Sequence, residues 1–149
     1  MSTHATATPV GTQEVQGGAR EGSGRFARFV RVSIALQTLS IFFQASTAGL
    51  LLATSYGETL HGVGARVMYG ASMLYLLAAV LAWRPGGGSA RPTLYASGFL
   101  VLASVQVVLG IAHVPTYHVP LGVLMFGLSV LDLGRVLLVR PRAGARVTG

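Results

Sequence analysis

The sequence contains no cysteine, which excludes disulfides, thiolate-held metals and cysteine nucleophiles and leaves the redox compartment unread. Lysine is absent too, so all eleven basic residues are arginine. Charge of either kind is scarce: 10% of residues are charged, against about 25% in soluble proteins, and only four are acidic. The balance is basic, but no basic stretch is interleaved with aromatics, and the arginines stand at the edges of apolar runs. That pattern sets membrane topology and does not bind polyanions, so nucleic acid is not an expected partner. Also missing are a Ser/His/Asp set, a phosphate loop, a nucleotide fingerprint and the paired histidines at i, i+4 with glutamate that zinc peptidases use. No catalytic residue is assigned, and a stand-alone enzyme is not the expectation.

What fills the 149 residues is apolar: 52% are hydrophobic, enough for one domain whose solvent is lipid. Four runs stand out, at about 29–53, 61–83, 94–112 and 119–139. Each is near the roughly 20 residues needed to cross a hydrocarbon core about 30 Å thick. The links at 54–60, 84–93 and 113–118 are short, and short links force neighbouring helices to run antiparallel. The expected fold is therefore all-α, an integral membrane up-down-up-down four-helix bundle over residues 25–140. Residues 1–24 are small, polar and Gly-rich, and with 141–149 they are expected to form disordered cytoplasmic tails. The tail also lacks the basic start and immediate apolar core of a cleaved signal peptide, so the first span is expected to be retained.

Orientation follows from the arginines. Arg20, Arg25, Arg28 and Arg31 precede the first run, Arg84 and Arg91 lie in the middle link, and Arg140, Arg142 and Arg146 follow the last. The other two links carry none. The positive-inside rule then puts both termini and the Gly-rich link in the cytoplasm of a multi-pass cell-membrane protein.

Polar residues inside the runs fall on helical faces. The first run has Ser33, Gln37, Ser40, Gln44 and Thr47 at steps of four and three. The second has His61, Gly64, Met68, Ser72 and Tyr75; the third has Ala103, Gln106, Gly110 and His113; the fourth has His118, Gly122, Met125, Ser129 and Asp132. No internal repeat stands out, although the second and fourth runs begin alike. Such stripes point inward, because polar groups in lipid are costly unless they face the bundle interior. Small residues and hydroxyls there serve helix packing, and Asp132 three residues before Arg135 reads as a local ion pair.

His61 and His118 open the second and fourth runs at matched depth. Helices diagonal in a bundle leave room for a flat macrocycle held by histidine from both sides, and Gly64 and Gly122, one turn inward, leave no side chain in its way. Arg66 supplies a cation for a propionate, with Glu58 as its protein-only partner. Gln44 and Gln106 complete the candidate cofactor-lining set. Two alternatives stay open. Glu58, His61, His113 and His118 share one rim and suit a divalent transition metal, or the stripes only pack helices in a membrane scaffold or accessory subunit without cofactor.

Glu58-Thr-Leu-His61, Gln106-Val-Val-Leu-Gly110 and His118-Val-Pro-Leu-Gly122 resemble one four-helix half of the haem A synthase family. The likeness extends in order and spacing over about residues 29–139. The chain is also similar to an uncharacterised family of small four-helix membrane proteins with the same histidine pattern. The resemblance implies His61 and His118 as axial ligands of a b-type haem and Glu58 as an acid or base beside it, in electron transfer or haem handling. Only one half is present and the synthases' outer cysteine pair is missing, so haem A synthesis is not implied. A homodimer or a redox membrane partner is the expected associate.

Overall fold

The computed structural model describes residues 11–138. The expectations for residues 1–10 and 139–149, including Arg140, Arg142 and Arg146, lie outside the described residues. Four helices follow in order: α1 (Gly11–Ala53), α2 (Gly57–Trp83), α3 (Arg91–Ile111) and α4 (Pro115–Leu138). All four are long and apolar enough to cross a membrane, α1 over Gly24–Ala53 and the others over their full lengths. This is the makeup of a multi-pass membrane protein. The shortest, α3, has 21 residues, which rise roughly 30 Å.

The helices begin earlier than apolarity alone predicts. Glu58 lies in the first turn of α2, Pro92 at the start of α3, and Pro115 is the first residue of α4. First-turn N–H groups have no intrahelical acceptor, so proline and acidic residues are at ease there. Residues 11–24, expected to be disordered, instead continue α1. Once a long helix exists, each added residue gains a hydrogen bond without a new nucleus.

Side chains are distributed inversely to those of a water-soluble bundle. Leu52, Leu94, Ile111 and Leu138 are each at least 70% exposed, a surface suited to lipid. Inside lie small and polar residues: Ser33, Gln37, Thr47, Ser72 and Ser129 are almost fully buried beside Ala78, Ala79, Ala96 and Ala103. Small residues let helix backbones approach. One apolar cluster joins Val30, Ile34, Tyr75 and Ala96, and a second joins Ile41, Met68, Phe99, Ala103 and Met125.

α1 packs against α2 and α4, and α3 packs against the same two; no Cα of α2 lies within 8 Å of one in α4. The turn from α1 to α2 is tight because Gly57 abuts the backbone of Leu50, where a Cβ would collide. After α2 the chain reverses through Gly87 at φ +63°, with Gly88 N donating to Ala82 O at 2.9 Å. After α3 it turns through His113 at φ 54°.

Hydroxyls link the helices. Thr38 Oγ1 and Ser129 Oγ share a hydrogen bond at 2.7 Å, and Gln37 Nε2 donates to Ser129 Oγ at 3.4 Å, joining α1 to α4. Tyr69 Oη and Ser104 Oγ, 3.1 Å apart, join α2 to α3. Bonds of this kind contribute about 0.6–2 kcal/mol each in lipid.

Ser40, counted in the α1 stripe, is not on its inner face. Its Oγ donates back to Leu36 O at 2.7 Å, and Ile41, 5% exposed, takes the inward position. A step pattern of three and four tolerates either residue, and in an apolar core the aliphatic side chain packs better. Asp132 and Arg135 do not read as the expected local pair either. Tyr75 Oη donates to Asp132 Oδ2 at 2.6 Å, while the Arg135 guanidinium lies 5.3 Å from the Tyr95 ring centroid. A donor from a facing helix reaches a buried carboxylate that a neighbour one turn on, pointing outward, does not.

Candidate functional site

α2 and α4 carry matching stripes. His61, Met68, Ser72 and Tyr75 are answered by His118, Met125, Ser129 and Asp132 at a constant offset along the chain, and the two ends of the match touch. At one end Tyr75 meets Asp132. At the other, the imidazoles of His61 and His118 have ring centroids 6.1 Å apart at an interplanar angle of 64°. The helix axes stay apart and side chains fill the gap between them, where the sequence reading expects it open.

Each ring is oriented by a neighbour. His118 Nδ1 lies 3.1 Å from the backbone carbonyl of Gln106. A carbonyl only accepts, so Nδ1 carries the proton and Nε2 keeps its lone pair. Thr47 Oγ1 donates to Gln44 O at 3.1 Å, which leaves the Thr47 hydroxyl oxygen to accept from His61 Nδ1 at 3.3 Å. The Gln44 amide approaches His61 Nε2 at 3.5 Å, the long limit of a hydrogen bond. Both imidazoles thus present Nε2 as the available donor atom. This is the arrangement in which a second partner fixes the tautomer of a metal-ligating histidine.

The two glycines have a different use from the one expected. A Cβ on Gly64 would collide with Gln44 Oε1, and one on Gly122 would lie 2.9 Å from Gln106 Nε2. The notches are therefore filled by glutamine amides. Because Gly122 has no side chain, Gln106 Nε2 reaches the carbonyl of His118 at 2.7 Å. Sequence reasoning identified both glutamines but not that each leans on the glycine below a histidine, since the partners come from neighbouring helices. In both notches the occupying atoms are the ends of flexible side chains, which a rotamer change clears.

The remaining candidates are not brought to the pair. Glu58 and Arg66 are exposed on α2 and are not among the hydrogen-bond partners of either histidine. His113 is exposed just beyond α3, and its Nδ1 folds back onto Ile111 O at 2.9 Å. Among the described residues no three His, Cys, Asp or Glu side chains gather as a metal would require. The rim site of Glu58, His61, His113 and His118 is thus not assembled, because the left-handed turn at His113 directs its ring to its own chain.

No protein-family model, no curated protein and no solved structure matches the chain.

Proposed function

We propose that the chain is an up-down-up-down four-helix membrane bundle with cytoplasmic termini that binds one b-type haem through His61 and His118, in electron transfer or haem handling. The arginine distribution supports the orientation. The contacts of Gln44 with His61 and of Gln106 with His118 support antiparallel hairpins. Spacing of the imidazoles is the observation that carries the cofactor reading. Two imidazoles ligating one metal at about 2 Å per bond have ring centroids roughly 6.4 Å apart, close to the 6.1 Å between these rings. The Nε2 lone pairs, met at His61 only by the Gln44 amide at 3.5 Å, fit the same chemistry, and so does the resemblance of Glu58-x-x-His61 and His118 to the half-synthase pattern.

Bound there, haem supplies one-electron chemistry. The chain's own residues do the rest. His61 and His118 would hold the group, and Thr47 and the Gln106 carbonyl fix their ring orientation. Purified protein is expected to show a Soret band that is lost when both histidines are replaced by alanine; a band that survives the double replacement sinks the assignment.

The filled notches at Gly64 and Gly122 favour a second reading, a membrane scaffold or accessory subunit without cofactor. It predicts colourless protein that stays colourless after haem is added.

A further inference from the structure

A second polar site lies about three to four helical turns along α4 from His118. A cavity of about 400 Å³ opens between α3 and α4, with Gln37, Ser129 and Asp132 on its inner wall. Leu94 and Leu131 at its mouth are 70% and 59% exposed, so the opening faces the bilayer.

Gln37 is 1% exposed, and although its Nε2 is bonded to Ser129, its Oε1 has no hydrogen-bond partner. A buried acceptor left unmade costs about 1–3 kcal/mol, so the wall lacks a donor. Asp132, 9% exposed, accepts from Tyr75 through Oδ2 and, as a carboxylate, has capacity for further donors. Arg135 also lines the cavity, its guanidinium near the Tyr95 ring and not on Asp132, so charges of both signs stand at the site and a neutral ligand is favoured over a charged one.

The shape points to a ring. Tyr95, Gly98 and Phe99 form the α3 wall, and at Gly98 a Cβ would meet no heavy atom within 4 Å. The wall therefore offers an open, flat, aromatic-flanked space beside a buried unpaired carbonyl.

We propose that this cavity binds the hydroxyl-bearing aromatic ring of a lipid-soluble molecule, a phenol or hydroquinone headgroup. The ligand enters from the bilayer between α3 and α4, and its hydroxyl donates to Gln37 Oε1. The ring lies against Phe99 at the Gly98 opening, its tail leaves past Leu94, and Asp132 accepts from a second hydroxyl where the ligand has one. The site shares no residue with the histidine pair and stands whether or not haem is bound.

A decyl hydroquinone carrying a photoactivatable diazirine, incubated with the full chain in phosphatidylcholine nanodiscs, tests the site by cross-link mapping. Adducts are expected on residues 94–102 and 128–135. Gly98→Leu fills the opening at an exposed helical position and is expected to lower labelling by about tenfold or more. Gln37→Leu, of similar size, is expected to lower it several-fold, and unlabelled hydroquinone to compete where decanol does not. Labelling spread evenly over the lipid-facing surface overturns the proposal. So does labelling unchanged by Gly98→Leu in a protein of normal helicity, or equal competition by decanol.

Discussion

The Tyr75 hydroxyl on α2 donates to the Asp132 carboxylate on α4 at 2.6 Å, and the two residues occupy the same step of matching stripes whose other end is His61 and His118. The pair anchors two helices whose backbones do not touch, and it fixes the register that brings the imidazoles together.

Tyr75→Phe removes the donor and leaves a buried carboxylate short of a partner. It is expected to cost about 1–3 kcal/mol, read as a lower thermal midpoint in detergent. Adding Asp132→Asn is expected to recover part of the loss, because the charge that needed the donor is gone. If the second change adds a full further loss, the carboxylate is not what the hydroxyl serves.

Thr47 accepts from His61 Nδ1, whereas the corresponding acceptor for His118 is a backbone carbonyl. Thr47→Val is therefore expected to weaken haem binding by about ten- to a hundredfold, the usual effect of losing an orienting partner. Gln106→Leu leaves that carbonyl in place and is expected to change affinity less. Haem titration of both variants checks the order, and equal losses count against this division of roles.

Gly64→Leu and Gly122→Leu place a fixed side chain where a flexible amide now lies. Both are expected to keep native helicity and to lose haem uptake. His113→Ala, at a ring that faces its own chain, is expected to leave uptake unchanged. Dichroism and haem stoichiometry on the same samples separate folding from binding.

Thr38→Val leaves Ser129 Oγ without its 2.7 Å partner. About 1 kcal/mol of stability is expected to be lost, with no change in any haem spectrum, since the contact lies well below the histidines. A spectral shift counts against separate packing and cofactor layers.

Sequence reading located the four spans because each must supply about 20 apolar residues to cross lipid, a demand that leaves no other pattern. It also paired His61 with His118, whose rings lie 6.1 Å apart, since helical spacing carries register directly. It missed what depends on a second helix. Tyr75 takes Asp132 from Arg135 across the bundle, and the glutamines enter the glycine notches from α1 and α3. Local spacing contains neither event. His113 failed for a conformational reason: its φ of 54° ends the helical face on which the periodic count had placed it. Ser40 shows the limit of periodicity itself, because a position between two allowed steps is decided by packing against Met68 and Ala103, neighbours of Ile41 in the core.

Haem added to the purified chain and followed by absorption and electron paramagnetic resonance tests the central claim most directly. Ligation by both imidazoles predicts a low-spin spectrum at one haem per chain. His61→Ala and His118→Ala should each convert it to high spin, and the double variant should abolish binding. A low-spin spectrum that persists in the double variant, or no binding by the unaltered chain, contradicts it.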